Sequence, residues 1–222
     1  MSKNLSPPIL YLITRGATTE TTSPQSPEFQ DILIQIRAAA VAQIDLVQIR
    51  EKRLNARVLF ELAEQAVDIT RTSSTRILVN DRADIAAGTG AHGVHLTTQS
   101  LDIAVIRNSF AQNFLVGAST HSWEEAKLAH EQGADFIVFR IQSFQRNPKS
   151  SLGHHWASRS YPMFAVISMA FLCWHWAEFL EVAARQCFEA GASGVAGISL
   201  FSEPAALESV ASAIRKSAKE LR

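Results

Sequence analysis

The chain has 222 residues, 47% of them hydrophobic, enough to bury a sizeable core, and an α/β barrel of this length is routinely one domain, here taken as 1–222. Lys and Arg balance Asp and Glu at 21 each, so no long-range field recruits nucleic acid or an acidic membrane surface, and a charged ligand must be met by a local cluster. Two cysteines, Cys173 and Cys187, are too few for a disulfide framework and lack metal-ligand spacing; with no apolar signal region in MSKNLSPP, the expected setting is a reducing cytoplasm.

Short apolar runs rich in β-branched residues recur along the chain: ILYLIT (9–14), LVQIRE (46–51), RILVND (76–81), GVHL (93–96), FLVGAS (114–119), DFIVF (135–139) and SGVAGIS (193–199). Apolar runs without alternation are strands buried on both faces, as in a parallel sheet. Amphipathic segments lie between them, among them NARVLFELAEQAVDITR and SWEEAKLAHEQGA, the latter opened by a Ser cap with Glu three residues on. Helices end in a Gly-Ala step before the next strand in GTGAHGVHL, HEQGADFIVF and FEAGASGVAGIS, where glycine suits a left-handed cap. TTETTSPQSPEFQ (18–30) reads as a surface loop after the first strand. YPMFAVISMAFLCWHW is only about 16 residues long and carries a Pro and a His, short of a membrane span. Seven strands, with an eighth expected between 140 and 192, predict a (β/α)8 TIM barrel ahead of an open doubly wound sheet.

In such a barrel, chemistry sits at the carboxyl ends of the strands, and there this sequence turns polar. The second run ends in Gln48, Arg50, Glu51 and Lys52; the third in Asn80, Asp81 and Arg82; the fourth in His95; the fifth in Ser119, Thr120 and His121. Strand alternation would set Gln48, Arg50 and Lys52 on one side, and two cations there suit a phosphate or pyrophosphate. Asp81 beside Asn80 is a hard ligand of the kind that bridges Mg²⁺ to substrate phosphates. Taken singly, QIREK reads as a solvated strand end, NDR as a helix cap and His95 as a packing histidine. Their shared place on one barrel face favours a ligand site.

These residues resemble the thiamine phosphate synthase and thiazole tautomerase family of TIM barrels. The likeness runs through LYLIT, LVQIREK, ILVNDRADIAAGTGAHGVHL, VGASTHSWEEAKLAHEQGADFIVF and CFEAGASGVAGISLF, covering most of 9–139 and 178–202. It implies coupling of hydroxymethylpyrimidine pyrophosphate to thiazole phosphate with release of pyrophosphate and with Mg²⁺ as cofactor. By resemblance, Gln48, Ile49, Arg50, Glu51, Lys52 and Asn80 hold the pyrimidine pyrophosphate, Asp81 the metal, Ser119 the pyrimidine, and Ile198 with Ser199 the thiazole phosphate. The family's second metal carboxylate falls at Ser100, whose hydroxyl is the weaker ligand. Its Thr-Pro-Thr/Ser-Lys and Gly-Gly-Ile loops are missing, which implies impaired activity. The related tautomerase, an isomerase, would use His121 as its acid-base group. A non-catalytic barrel is a third reading. Partners are small phosphorylated molecules, and the helical exterior is compatible with a homodimer.

The likeness lapses between Phe139 and Glu178, where Trp156, Trp174, Trp176, His154, His155 and His175 gather and the helix–strand pattern fails. Shifting the reading frame by two bases makes His155-Trp156-Ala157 encode Leu-Gly after Pro or Ser. The same shift turns Cys173–Phe179 into Leu-Ala-Leu-Gly, then Gly or Arg, then Ile or Val. That restores the missing Gly-Gly-Ile loop. Residues from about 140 to 178 therefore read as out of frame between two compensating indels, and SLGHHWAS as an accident of that frame, since no third ligand has zinc spacing. Strands six and seven are expected to be disrupted if the chain is made as written. Fresh sequencing of the gene should show both indels against close relatives; one uninterrupted frame encoding these residues would refute the shift.

Overall fold

Apolar strands with no wet face must be covered on both sides, and a parallel sheet of eight achieves this by closing on itself. The computed structural model describes residues 5–140, 165–169 and 184–221. Its strands are β1 (Ile9–Ile13), β2 (Leu46–Ile49), β3 (Arg76–Asn80), β4 (Gly93–Leu96), β5 (Leu115–Thr120), β6 (Phe136–Arg140), β7 (Ala165–Met169) and β8 (Gly194–Gly197). Each pairs in parallel with the next, and β8 returns to β1 to close the barrel. The described helices are α1 (Pro27–Val41), α2 (Ala56–Thr70), α3 (Ala83–Gly88), α4 (Ile103–Ser109), α5 (Trp123–Glu131), α6 (184–189) and α7 (Leu207–Lys219).

The expected eighth strand is β7, which pairs with β6 from Phe136↔Ala165 to Arg140↔Met169 and with β8 from Ile167↔Gly194 to Met169↔Ala196. The backbone thus closes through a sector whose composition predicts disruption. SLGHHWAS, the 141–149 stretch and Cys173–Phe179 lie outside the described residues.

Local signals set the element ends. Asn55 Oδ1 accepts from the Val58 amide at 3.0 Å, and Ser122 Oγ accepts from the Glu125 amide at 3.1 Å, so both predicted helix starts are capped by side chains. The surface loop is shorter than predicted because Pro27, already shaped for a first helical position, begins α1. In the Gly-Ala steps, Gly90, Gly133 and Gly191 have φ of +74°, +99° and +87°, the left-handed backbone that only glycine takes without strain. The strands near the site end early. β2 stops at Ile49 because the Arg50 amide turns to Thr14 Oγ1 at 2.8 Å, and β3 stops at Asn80 because Asp81 adopts φ +59°.

Two cores result. One lies between strands and helices and contains Val47, Ile49, Ile77 and Val79 with Leu59 and Leu62. The other fills the barrel and contains Ile9, Tyr11, Ile13, Leu46, Leu78, Leu115, Phe136 and Val138. Inside the barrel, Phe136 meets Tyr11 edge-on, centroids 5.5 Å apart, and lies 6.0 Å from the ring of His95. Gly117 stands opposite both His95 on β4 and Phe136 on β6, and a Cβ there would overlap the Phe136 ring. The missing side chain makes room for an aromatic layer. Burial in that layer pushes the His95 imidazole down from its ordinary 6.5 to about 4; Asp81 raises it and Arg50 lowers it, by smaller amounts.

Gly117→Ala should therefore cost about 1–3 kcal/mol in urea unfolding, the usual penalty for overpacking a core. Adding Phe136→Leu should return part of it; equal stability of Gly117→Ala and wild type would show that the ring does not need this space. Between pH 6.5 and 4 the unfolded chain binds a proton at His95 that the folded chain does not. Stability should fall as pH drops through that window, by on the order of 3 kcal/mol for this group. His95→Gln should flatten the slope by about one proton, and an unchanged slope would assign it to other groups.

Candidate active site at the carboxyl ends of the strands

Above the aromatic layer a line of polar side chains crosses from β2 to the loop after β4. Buried Gln48 donates from Nε2 to Asn80 Oδ1 at 3.0 Å, and Asn80 donates from Nδ2 to Asp81 Oδ2 at 2.7 Å. The two amides align their dipoles toward the carboxylate, so each bond strengthens the next. Asp81 itself is exposed. Its left-handed backbone is one that Asp tolerates, and its amide donates to the His95 carbonyl at 3.0 Å, which fixes the corner from which the carboxylate projects.

Ser100 donates from Oγ to Asp81 Oδ1. The loop holds it there: the Thr97 amide donates to Ser100 Oγ at 2.7 Å, and the Ser100 amide donates to the Thr97 carbonyl at 3.1 Å. The two positions picked out as metal ligands are thus in contact, although 19 residues apart in sequence. Among the described residues no three His, Cys, Asp or Glu side chains cluster to hold a metal. The donors at Asp81 and Ser100 are hard oxygens with one carboxylate between them, which suits Mg²⁺ held jointly with substrate phosphates rather than in an all-protein cage.

Strand two distributes its residues differently from the simple alternation. Gln48 points into the barrel, and half-buried Arg50 stands close enough to His95 to lower its pKa, as Asp81 raises it. Ile49 is wholly buried in the helix-facing core, so its side chain cannot reach a ligand in the mouth. Glu51 is also buried and turned away: its carboxylate accepts from the Gly16 amide at 3.0 Å, the Thr18 amide at 3.2 Å and Thr18 Oγ1 at 2.7 Å. It clamps the loop after β1, whose Gly16 packs against the Arg50 carbonyl. Lys52 does not share the strand's inward face, because β2 has ended; it is exposed in the following turn.

One residue absent from the sequence reading of the site, Tyr11, completes its floor. Tyr11 Oη lies 3.1 Å from His95 Nδ1, and His95 Nε2 lies 2.8 Å from Ser119 Oγ. Tyr11 and His95 are buried, while Ser119 is half-buried at the end of β5. The signal for Tyr11 was present: a phenol within an apolar strand needs a hydrogen-bond partner. His121 directly follows β5, its amide donating to Glu125 Oε2 at 2.7 Å and its Nδ1 3.6 Å from the same oxygen, just before α5. Ile198 packs beside the interior core, and exposed Ser199 begins a short 3-10 turn, Ser199–Phe201, after β8.

A family model described as thiamine monophosphate synthase matches residues 10–143, more than half of the chain, and ends where the sequence changes character. The protein named "Putative thiamine-phosphate synthase 2" of Aquifex aeolicus is 35% identical over 164 residues, 72% of this chain and 84% of that protein. The thiamine-phosphate synthase of Caldanaerobacter subterraneus is 36% identical over 107 residues, and the match spans only 50% of its length. Among solved structures, thiamine phosphate pyrophosphorylase from Pyrococcus furiosus superposes with a TM-score of 0.69 over 96% of both chains at 24% identity, a likeness of fold. With a matching family model and a relative aligned over most of its length, the chain belongs to the thiamine monophosphate synthase family.

Proposed function

We propose that the chain is a thiamine-phosphate synthase, joining hydroxymethylpyrimidine pyrophosphate to thiazole phosphate. The bond between the pyrimidine methylene and the pyrophosphate oxygen breaks, pyrophosphate leaves with the electron pair, and the thiazole nitrogen forms the new C–N bond. The observation that carries this reading is the line Gln48–Asn80–Asp81–Ser100, whose carboxylate acts on His95 together with the Arg50 guanidinium. It sets a cation and a carboxylate at one mouth, as a diphosphate with a divalent ion requires, whereas an isomerase has no pyrophosphate to hold.

Each residue's part follows from its chemistry. The Arg50 guanidinium offers a fork to the leaving group, and Lys52 adds a mobile point charge from the rim. Gln48 and Asn80 hold the polar edge of the first substrate. Ser119 meets its ring, and Ile198 with Ser199 meets the second substrate's phosphate. Asp81, with Ser100, would hold Mg²⁺, which when bound neutralises charge on the diphosphate. The closed apolar floor keeps water from the carbon that loses pyrophosphate, and positioning of the nucleophile carries the step. Two cysteines in the whole chain suit a reducing cytoplasm as the reaction's setting; among the described residues no helix is long and apolar enough to cross a membrane.

Incubating the full chain with both phosphorylated substrates and Mg²⁺ should release pyrophosphate. Arg50→Ala should lower the rate by about two orders of magnitude, as when one preorganised charge is removed from a developing anion. Ser100→Asp should lower the Mg²⁺ concentration needed for half-maximal rate by roughly tenfold, because a carboxylate replaces a hydroxyl. Thiazole aromatisation without pyrophosphate release would favour the isomerase, and binding without turnover the non-catalytic barrel.

A further inference from the structure

We propose that Tyr11 is a positioning residue: acting through His95, it fixes the Ser119 hydroxyl as a hydrogen-bond donor into the barrel mouth. The site thereby selects a ring that presents an unprotonated nitrogen at that point.

The argument is a count of hydrogens. Tyr11 is completely buried, and among the described residues its hydroxyl has one hydrogen-bond partner, His95 Nδ1 at 3.1 Å. A phenol has one proton to give. Were Nδ1 to carry the ring proton and donate to Tyr11, the phenol's own proton would be stranded among Ile9, Ile13, Leu46 and Phe136, a buried donor without acceptor. The phenol therefore donates and Nδ1 accepts. A neutral imidazole then holds its proton on Nε2, which donates across 2.8 Å to Ser119 Oγ. Having accepted there, Ser119 directs its own proton elsewhere, and its half-buried place at the carboxyl end of β5 leaves the mouth as the open side.

Burial supports this order by keeping both groups uncharged: the Tyr11 phenol is raised well above its ordinary value and the imidazole is depressed. Packing supports it too. The His95 ring lies against Tyr11, at a centroid distance of 5.7 Å, and Phe136, and turning it over would set ring carbons against both the Tyr11 and the Ser119 hydroxyls. Reversing the relay would make Ser119 an acceptor and favour an amino group or a protonated ring nitrogen instead. Tyr11, one strand away from any ligand contact, thus sets the sign of the hydrogen bond that Ser119 offers.

The identity of the ring rests on the function proposed above; the relay itself does not, and the test keeps the two apart. In ¹⁵N spectra of histidine-labelled protein, with His95 assigned by its loss in His95→Gln, Nδ1 should be unprotonated and Nε2 protonated. Tyr11→Phe, which removes one oxygen, should give a mixture of the two tautomers. In turnover, the same variant should raise KM for the pyrimidine diphosphate by roughly tenfold, the size of one neutral hydrogen bond, with kcat within about twofold. It should add nothing in a Ser119→Ala background. A protonated Nδ1 in the unmodified protein, or effects of Tyr11→Phe and Ser119→Ala that simply add, would overturn the relay. A chain that makes no thiamine phosphate would overturn the functional reading, while the ring-nitrogen spectrum would still decide the relay.

Discussion

A glycine that cannot carry a side chain organises this barrel. At Gly117 the space a Cβ would take is filled by the Phe136 ring, which in turn packs edge-on against Tyr11 and against His95. The result is an apolar floor across the barrel with one imidazole set into it. An apolar floor is rigid and dry, so polar groups resting on it cannot relax into water and must satisfy one another. Much of the described mouth obeys that constraint: Gln48 gives to Asn80, Asn80 to Asp81 and Ser100 to Asp81, while His95 Nε2 meets Ser119 Oγ.

These connections also explain why strands so short can place side chains so definitely. β2 and β3 give out at Ile49 and Asn80, and the chain beyond is held by three contacts rather than by the ladder. The Arg50 amide is tied to Thr14, the Glu51 carboxylate gathers the Gly16–Thr18 loop, and the Asp81 amide is tied to the His95 carbonyl. Glu51 accepts three hydrogen bonds without touching the mouth, so its position in QIREK between Arg50 and Lys52 reflects support for the arginine's surroundings rather than contact with a ligand.

The fold was legible because its determinants are local. Apolar runs without alternation, side-chain caps at Asn55 and Ser122, and Gly-Ala steps with positive φ each state the same barrel independently. The site was legible in part. Gln48, Asn80 and Asp81 join at neighbouring strand ends and Ser119 meets His95, since a barrel gathers those ends whatever the sequence between them, while Ser100, placed by family resemblance, reaches Asp81 from the loop after β4. Lys52, Glu51 and Ile49 could not be assigned to a face from alternation alone, because alternation holds only while the strand does, and the residue that ends β2 is chosen by a hydroxyl just past β1, that of Thr14. Tyr11 was hidden for a different reason: in LYLIT it looks like one more core residue, and only the three-dimensional meeting of β1 with β4 shows what its hydroxyl is for.

Ser100 shows how a single substitution against the family pattern can preserve geometry while changing the energetics. A carboxylate at that position would face Asp81, and two like charges in contact repel unless a cation lies between them. The serine hydroxyl brings no such repulsion and donates to the Asp81 carboxylate instead. With one negative charge fewer in a mouth where Arg50 and Asp81 both act on His95, more of the guanidinium's field would be left for an anion. On the function proposed above, the balance of the mouth would shift from holding a cation that holds the diphosphate toward holding the diphosphate directly, and the cost of the missing carboxylate would fall on metal affinity rather than on the placement of Asp81.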